Sequence, residues 1–514
     1  MIASIAFVFL GAATVAVSPC ETLSSLKLAD ATIASAAVVP EGPPPARAAA
    51  PGRGGARGDA RGNAPVNAPV NAAPPANIPA HCRVQVVLKP TVDSLINMEL
   101  WLPTQNWNGK FLGVGNGGFA GSIQGRTNEM PQALRLGYAT AGTDTGHQEP
   151  GGNWAIGHPE KMIDFGYRAT HEMTVKAKQI VKAFYDESAK YSYFKGCSTG
   201  GRMALMEAQR YPEDYNGIIA GSLASRHIHM WTAGVARNIE LSRHPEGGLT
   251  AEKAALVNQL VMSSCDTLKE GFLNNPRECH VDFSKLRCAA GTDDNTCLTP
   301  AQLKTVNTFY GGVKTSTGEL IFSGQALGNP IPALRGTNQS PGCTFDIVRI
   351  ALNDPNLDWQ KFDLDRDMPL IDKAVGYVDA VNPDLGTFKK SGGRLLLTHG
   401  WSDTGITPET TIWYYDSILD KMGGSQSDWM RLFMAPGMGH CGGGPGVNTF
   451  DSIGTLEKWV EKGIAPDQMM GTGAQGLKRP LCPYPQFAEY KGTGDLKDAA
   501  SWACKAPASK ARAR

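Results

Sequence analysis

The chain has 514 residues, of which 42% are hydrophobic and 19% charged, and its 49 lysines and arginines against 48 aspartates and glutamates give a formal net charge of +1. This length exceeds the roughly 100–200 residues of one ordinary domain, so we expect two domains or one domain with a large insertion. The balanced charge argues against nucleic acid or an anionic membrane as a partner, because both attract strongly basic surfaces.

Residues 1–16 form an apolar run that ends in small residues, which predicts a secretory signal peptide. The alternative is an N-terminal membrane anchor, although the run is shorter than the about 20 apolar residues that span a bilayer. The chain also contains eleven cysteines and no CxxC pair, which is typical of disulfide-bonded proteins in an oxidising compartment. We therefore expect a secreted or periplasmic protein.

An N-terminal segment at 17–81 follows, and residues 40–80 of it are rich in proline, glycine and alanine. Such a composition cannot bury apolar surface, so we interpret this stretch as a disordered linker or surface loop. Cys20 and Cys82 lie on either side of it and could form a disulfide. Close spacing suggests three further disulfides and leaves one candidate for a free thiol: Cys265–Cys279, Cys288–Cys297, Cys482–Cys504, and Cys343 alone.

From Cys82 the pattern changes to short apolar runs that alternate with helical patterns. The predicted strands lie at 84–88, 96–102, 110–114, 138–142, 191–196, 217–220, 394–398 and 430–434, and the predicted helices at 171–185, 201–210 and 453–462. Strands that alternate with helices predict a mostly parallel sheet covered by helices on both faces. We expect this α/β core to comprise residues 82–222 and 372–514.

Residues 223–371 interrupt this alternation. They contain five of the eleven cysteines, a long polar middle and little regular change between strand and helix. We interpret them as a lid domain inserted between the two parts of the core.

The segment Gly196–Gly200 has the pattern G-x-S-x-G and lies between a predicted strand and a predicted helix. In a nucleophile elbow, the serine occupies a strained turn, and the flanking glycines let the strand and the helix pass without a clash. Ser198 is therefore the candidate nucleophile, exposed at the amino end of the helix. A chance glycine turn is the alternative.

A serine nucleophile needs a base that is oriented by an acid, and in this type of fold the order along the chain is Ser, Asp, His. Asp403 follows the predicted strand at 394–398, and His440 lies in the glycine-rich loop after the strand at 430–434. They are the candidate acid and base. His399 is the nearest rival for the base, but its place at a strand end suits packing or hydrogen bonding, and Asp416, in a probable helix, is a weaker acid candidate.

Two cysteines adjoin the candidate catalytic residues. Cys197 directly precedes Ser198, and Cys441 directly follows His440. If the serine and the histidine are within hydrogen-bond reach, the two cysteines are near neighbours, and a disulfide between them would join the nucleophile loop to the base loop. Two unrelated buried cysteines are the alternative.

Acyl transfer also needs hydrogen-bond donors for the developing oxyanion. One should be the backbone N–H of Thr199, the residue after the nucleophile, and the second should come from the glycine-rich loop Gly115–Gly121. Within this loop we favour Gly118, with Gly117 as the rival.

The pairs Cys197–Ser198 and His440–Cys441, together with Asp403, resemble the paired-cysteine triad of the tannase and feruloyl esterase family, which includes bacterial hydrolases of the terephthalate monoester MHET. Supporting stretches are Trp101–Phe111, Gly115–Gly121, Gly196–Arg202 and Tyr211–Gly221, and the resemblance extends from Cys82 to Cys504. It implies an α/β-hydrolase core, a lid that forms much of the substrate pocket, and small or polymer-linked esters of phenolic acids as substrates. Lid candidates for contacts with an aromatic ring are Phe345, Trp359 and Phe362, for each of which core packing is the alternative.

The chain departs from this resemblance in two places. The family's lid usually carries a calcium loop, but here Cys265–Pro276 is shortened and Lys269 falls where a carboxylate is expected. Because calcium prefers six to eight oxygen ligands, we expect no metal, with Asp266 and Glu270 as weak ligands at most, and no cofactor. Thr199 stands where the MHET hydrolases tend to carry glutamate, which favours a feruloyl esterase or tannase. A peptidase or amidase with the same triad and a non-catalytic binding protein are the other classes considered.

Overall fold

The computed structural model describes residues 18–45, 76–149, 151–336 and 342–507. Its strands are β1 Ala31–Val39, β2 His81–Leu88, β3 Ile96–Pro103, β4 Lys110–Val114, β5 Ala139–Thr143, β6 Tyr191–Cys197, β7 Gly217–Gly221, β8 Val313–Lys314, β9 Leu320–Phe322, β10 Arg394–Gly400, β11 Met430–Ala435, β12 Val447–Thr449, β13 Met469–Gly473, β14 Lys478–Leu481, β15 Phe487–Tyr490 and β16 Trp502–Lys505. Its helices are α1 Glu129–Arg135, α2 Pro159–Ile163, α3 Ala169–Tyr185, α4 Thr199–Arg210, α5 His227–Arg243, α6 Ala251–Cys265, α7 Pro300–Gly311, α8 Cys343–Ala351, α9 Leu364–Val375, α10 Gly386–Lys390, α11 Pro408–Met422 and α12 Ser452–Lys462.

Nine strands form the central sheet in the order β1-β2-β3-β5-β4-β6-β7-β10-β11. The first three are antiparallel to their neighbours, and the six from β5 to β11 run parallel. The register aligns Cys197 with Gly221, Gly221 with Thr398, and His399 with Met434. The carboxyl ends of β6, β7, β10 and β11 therefore meet at one edge of the sheet, where ligand sites of α/β proteins lie.

Apolar side chains of the parallel strands alternate between the two faces of the sheet, as the two-residue period of a strand requires. In β10, Leu395 and Leu397 join the core under α3, α4 and α11, whereas Leu396 joins the core under α1 and α12. Each face of the sheet thus has its own helical cover, as the alternation of strands and helices predicts.

The lid consists of α5 to α9 and the hairpin β8–β9; one apolar cluster lies wholly within it, and a second is shared with core residues such as Phe165. Side-chain caps begin three of its described helices, since Thr250 caps α6, Thr299 caps α7 and Asp363 caps α9. The segment that leads from the core into the lid lies beside the segment that returns to the core, since the N–H of Ala380 donates to the carbonyl of Ser225 at 2.8 Å. The lid is therefore an insertion that leaves and re-enters the core at one place.

The N-terminal segment contributes to the core, which the sequence does not reveal. Strand β1 pairs with β2 along its whole length at the edge of the sheet, and the Cys20–Cys82 disulfide links β2 to the short helical turn that precedes β1. Gly42 and Ile78 form a backbone bridge, so the chain leaves and returns at one point. Most of the predicted linker and the predicted signal peptide lie outside the described residues.

Beyond β11 the chain adds a three-stranded sheet, β12 to β14, and the hairpin β15–β16, which the sequence analysis did not predict. The described part of the chain contains five disulfides: Cys20–Cys82, Cys197–Cys441, Cys265–Cys279, Cys288–Cys297 and Cys482–Cys504. The side chain of Cys343 lies outside what the structure describes, so its free thiol stays a prediction. Within the described ranges, no helix combines the length and apolar character needed to cross a bilayer.

Candidate active site

Ser198 occupies a strained turn between β6 and α4. Its φ of 64° and ψ of −124° lie in a region that L-residues rarely adopt, and its N–H donates to the carbonyl of Gly221 at 3.0 Å. A Cβ on Gly196 would overlap the backbone of Gly200, so the strand and the helix can approach this closely only because residue 196 is glycine, and a Cβ on Gly200 would crowd the carbonyl oxygen of Asn116. The turn thus places Ser198 at the positive end of α4.

Asp403 and His440 form a hydrogen-bonded pair. The Oδ2 atom of Asp403 lies 2.9 Å from Nδ1 of His440, and its Oδ1 accepts the N–H groups of Gly405 and Ile406, each at 2.8 Å. Asp403 is fully buried, whereas the side chain of His440 is 32% exposed. Burial alone would raise the pKa of Asp403, but hydrogen bonds from His399 and His440 hold that pKa well below its ordinary range. Asp403 is therefore a carboxylate at neutral pH.

His399, the rival for the base, lies behind this pair. It is fully buried, and its Nε2 is 3.1 Å from the same Oδ2 atom of Asp403. It has no exposed surface from which to reach a substrate, in agreement with a hydrogen-bonding role. Asp416, the weaker candidate for the acid, lies in the middle of α11.

The Cys197–Cys441 disulfide joins the two halves of the site. The Cα atoms of these cysteines are 5.9 Å apart although 244 positions separate them in the sequence. Cys197 is the last residue of β6, and Cys441 has a φ of 61°, which turns the chain immediately after His440. The neighbours of the candidate nucleophile and base are thus covalently linked.

A cleft of about 1770 Å³ opens between core and lid, and Ser198 and His440 both line it. Its core side also includes Gly118 and Thr199, and its lid side is formed mainly by α5, α7 and the β8–β9 hairpin. This volume exceeds the about 300–1,000 Å³ of ordinary small-molecule pockets. The cleft can therefore accommodate an aromatic acid together with a large alcohol group.

The backbone donors of the glycine-rich loop are not equivalent. The N–H of Gly117 donates to Oε1 of Gln124 at 2.9 Å and is thereby occupied. Within the described residues the N–H of Gly118 has no partner, and Gly118 lines the cleft with a φ of 60°. The hydroxyl of Thr199 donates to the carbonyl oxygen of Gly118 at 2.8 Å, which joins the two candidate oxyanion residues. The geometry favours Gly118 over Gly117.

Of the three aromatic residues predicted to contact substrate, Phe362 lines the cleft. Phe345 is buried in the apolar core between α5, α8 and α9, to which Phe362 also belongs, and Trp359 packs against that core, so core packing is the role that the structure shows for Phe345 and Trp359. The sequence analysis missed Trp231, which lines the cleft and packs against Phe119 with ring centroids 4.2 Å apart. The sequence signal that could have indicated this aromatic contact is that Phe119 directly follows Gly118, the candidate oxyanion residue.

The shortened lid loop does not suit a calcium ion. The carboxylate of Glu270 pairs with Arg479 at 2.6 Å, and Arg479, which is fully buried, also donates to Asn274 at 2.5 Å. The two carboxylate oxygens of Asp266 accept backbone N–H groups of the same loop. Because a guanidinium already neutralises Glu270, a cation here would meet a like charge.

The chain is similar in sequence to known esterases. Residues 82–505 match the model of a family described as tannase and feruloyl esterase. An uncharacterized esterase from Xanthomonas campestris pv. campestris is 32% identical over 491 residues, covering 83% of this chain and 84% of the relative. Feruloyl esterase B from Aspergillus niger is 31% identical over 456 residues, covering 82% of this chain and 86% of the relative.

Solved structures agree with these relatives. Feruloyl esterase B from Aspergillus oryzae is similar with a TM-score of 0.82 and 28% identity, covering 95% of this chain and 99% of that chain. Tannin acyl hydrolase from Aspergillus niger has a TM-score of 0.71 at 19% identity, covering 96% and 93%, which is a likeness of fold alone. The predicted α/β-hydrolase core with a large inserted lid is confirmed.

Proposed function

The chain belongs to the tannase and feruloyl esterase family and is a carboxylic ester hydrolase, and on this premise we propose that it is a secreted serine esterase that cleaves esters of phenolic and other aromatic acids. The observation that supports this most is the hydrogen bond between Asp403 and His440 in the cleft that Ser198 lines. The disulfide beside both candidate catalytic residues adds to it.

In the proposed first step, Oγ of Ser198 attacks the ester carbonyl carbon, and Nε2 of His440 accepts the hydroxyl proton. The tetrahedral oxyanion is stabilised by the N–H groups of Thr199 and Gly118. The bond to the alcohol then breaks, and His440 returns the proton to the departing oxygen, which leaves the acyl group on Ser198. Asp403 holds Nδ1 of His440 throughout and stabilises the imidazolium.

In the second step, His440 removes a proton from water, and the resulting oxygen nucleophile attacks the acyl-enzyme carbonyl. Collapse of the second tetrahedral intermediate releases the aromatic acid and returns the proton to Ser198. These steps use side chains and water and need no organic cofactor. The aromatic rings of Trp231 and Phe362, which line the cleft, are the proposed surroundings of the acid's ring, and Phe119 packs against Trp231.

Secretion is part of the proposal. Five disulfides, among them one that links the core across 244 positions, agree with folding in an oxidising compartment. The name of the relative from Aspergillus niger, feruloyl esterase B, indicates esters of ferulic acid. Small or polymer-linked esters of this kind are therefore the proposed substrates.

The test compares methyl ferulate, methyl gallate and a terephthalate monoester, with an anilide of ferulic acid as the amide control, using wild type and Ser198→Ala. We expect cleavage of at least one phenolic ester by wild type and none by the alanine variant. Exclusive cleavage of the terephthalate monoester would favour the MHET alternative, and faster cleavage of the anilide would favour an amidase. Ester cleavage that survives in Ser198→Ala would refute the acyl-enzyme on this residue.

A further inference from the structure

The candidate acid Asp403 contacts two imidazoles, not one. Its Oδ2 atom lies 2.9 Å from Nδ1 of His440 and 3.1 Å from Nε2 of His399. His399 is buried at the end of β10, and only His440 lines the cleft. Any effect of His399 on the reaction must therefore pass through Asp403.

The surroundings of His399 determine which of its ring nitrogens carries hydrogen. Nε2 lies 3.1 Å from Oδ2 of Asp403 and 3.1 Å from the carbonyl oxygen of Ile406, and both of these atoms only accept. Nε2 must therefore be protonated. Nδ1 lies 2.6 Å from Oγ1 of Thr411 in α11, whose hydroxyl can donate to it. A neutral imidazole with its hydrogen on Nε2 satisfies all of these contacts.

Four donors consequently converge on the carboxylate of Asp403: the N–H groups of Gly405 and Ile406 on Oδ1, and the two imidazoles on Oδ2. In a buried site such donors fix the orientation of the carboxylate and disperse its charge. In the described part of the chain, the titratable groups that contact this carboxylate are His399 and His440, while Ile406 and Thr411 supply a carbonyl and a hydroxyl to His399.

We propose that His399 is a positioning residue of the catalytic triad: anchored at Nδ1 by Thr411, it holds Oδ2 of Asp403 in line with His440 and shares its negative charge. This inference rests on the proposed function. Without His399, the carboxylate turns more freely and its charge is concentrated on His440. The imidazolium form of the base is then favoured over the neutral form that accepts the serine proton.

The test compares His399→Leu with His399→Gln, whose side-chain amide nitrogen can replace Nε2 as a donor. We expect Leu to lower kcat about 10–100-fold, the range for one lost hydrogen bond to a charged group, with KM little changed. The acid limb of the kcat/KM profile should move to higher pH. Gln should recover most of kcat and restore the profile. Equal losses in both variants would reduce His399 to a packing residue and overturn the proposal.

Thr411→Val supplies a second test that touches neither Asp403 nor the cleft. It removes the hydroxyl that anchors Nδ1 of His399, so the ring is held less firmly against Asp403, and kcat should fall with the same displacement of the pH profile. Thr410→Val is the matched control, because Thr410 is the adjacent buried threonine of α11 and its hydroxyl has no partner in the described structure. If Thr411→Val folds and keeps the kcat and pH profile of Thr410→Val, the proposal is wrong.

Failure of the His399 proposal can be distinguished from failure of the proposed esterase function. Rates are read on an ester whose cleavage Ser198→Ala abolishes, so loss of the assigned nucleophile is recognised independently. Proton NMR of the resting protein provides a readout without substrate, since two imidazole N–H protons should be hydrogen-bonded to Asp403 in wild type. His399→Leu should remove one of these two signals, and its persistence would contradict the assigned contact.

Discussion

Asn329 of the lid donates a hydrogen bond of 3.0 Å from its side-chain amide to the backbone carbonyl oxygen of Asp403, the candidate acid in the core. Beside it, Nε2 of Gln325 donates to the carbonyl of Thr404 at 3.4 Å, and the hydroxyl of Thr407 donates to the carbonyl of Gly324 at 2.5 Å. The lid segment 324–329 is thus fastened to the acid loop 403–407. We call these three hydrogen bonds the seam, and through them the position of the lid affects the geometry of the triad.

Replacing Asn329 by alanine should therefore impair catalysis as well as stability. We expect kcat to fall by up to about 10-fold, since one net hydrogen bond is lost, with a smaller effect on KM. Asn258→Ala is the control, because Asn258 bonds both backbone groups of Ile331 within the lid. It should lower the melting temperature and leave kcat unchanged. Equal kcat values in the two variants would show that the seam does not position Asp403.

Removal of the Cys197–Cys441 disulfide should affect both stability and rate. The bridge spans 244 positions, and loop-closure entropy for so long a span gives at most about 5 kcal/mol of stability. The double variant Cys197→Ala/Cys441→Ala should lose melting temperature and kcat together. Cys288→Ala/Cys297→Ala, which opens a lid bridge of separation 9, should keep kcat. Wild-type kcat in the first variant would mean that noncovalent contacts alone align the site.

The hydroxyl of Thr199 should matter for the oxyanion donors. Because it bonds the carbonyl of Gly118 at 2.8 Å, Thr199→Val frees the glycine loop and should reduce kcat by up to about 10-fold. Thr199→Ser keeps the hydroxyl and should retain most of the rate. Steady-state kinetics on one ester distinguish the two, and a serine variant as slow as the valine variant would assign the effect to side-chain shape.

Because Arg479 pairs with Glu270, the stability of the shortened lid loop should not depend on calcium. The melting temperature is expected to be the same with added calcium and with a chelator. Arg479→Met leaves Glu270 without its buried partner and should destabilise the protein by about 3–5 kcal/mol, as for other broken buried pairs. Lys505→Met breaks an exposed pair with Glu489 and should have little effect. Stabilisation of wild type by calcium would refute this interpretation of the loop.

Glu207 should make stability depend on pH. Burial raises the pKa of this carboxyl, and the negative charge of Asp214 and a hydrogen bond with it raise that pKa further. The folded protein thus retains a proton that the unfolded chain releases near about pH 4.3. The retained proton stabilises the folded state fully below about pH 4.3, and this contribution declines as the pH rises towards the pKa of Glu207 in the folded protein.

The variant Glu207→Gln cannot titrate. Chemical denaturation between about pH 4 and pH 8 should show its stability exceeding that of wild type by an amount that grows with pH. Glu213→Gln, an exposed neighbour, should follow wild type. A difference between Glu207→Gln and wild type that does not change with pH would show that Glu207 is ionised in the folded state.

The features that could be predicted from the sequence alone are those that depend on residues close together in the chain. A strand, a glycine-flanked serine and a helix predict the elbow at Ser198, because steric rules act over a few residues. Asp403 and His440 follow from the ends of two apolar strands, since carboxyl ends of parallel strands meet at one edge. Adjacent cysteines predicted the bridge between Cys197 and Cys441. The fold class and the candidate catalytic residues could be predicted in this way, and the family followed from the resemblance that these residues carry.

Contacts between distant or differently oriented segments were decided only by the tertiary structure. Asn329 and Asp403 are 74 positions apart and Arg479 and Glu270 are 209 apart, so no local pattern links them. His399 is four residues from Asp403, yet only the direction of β10 and the packing of α11 turn its ring onto that carboxylate. Hydrogen bonds and ion pairs require atoms within a few ångströms, and such distances are properties of the folded chain, not of residue order.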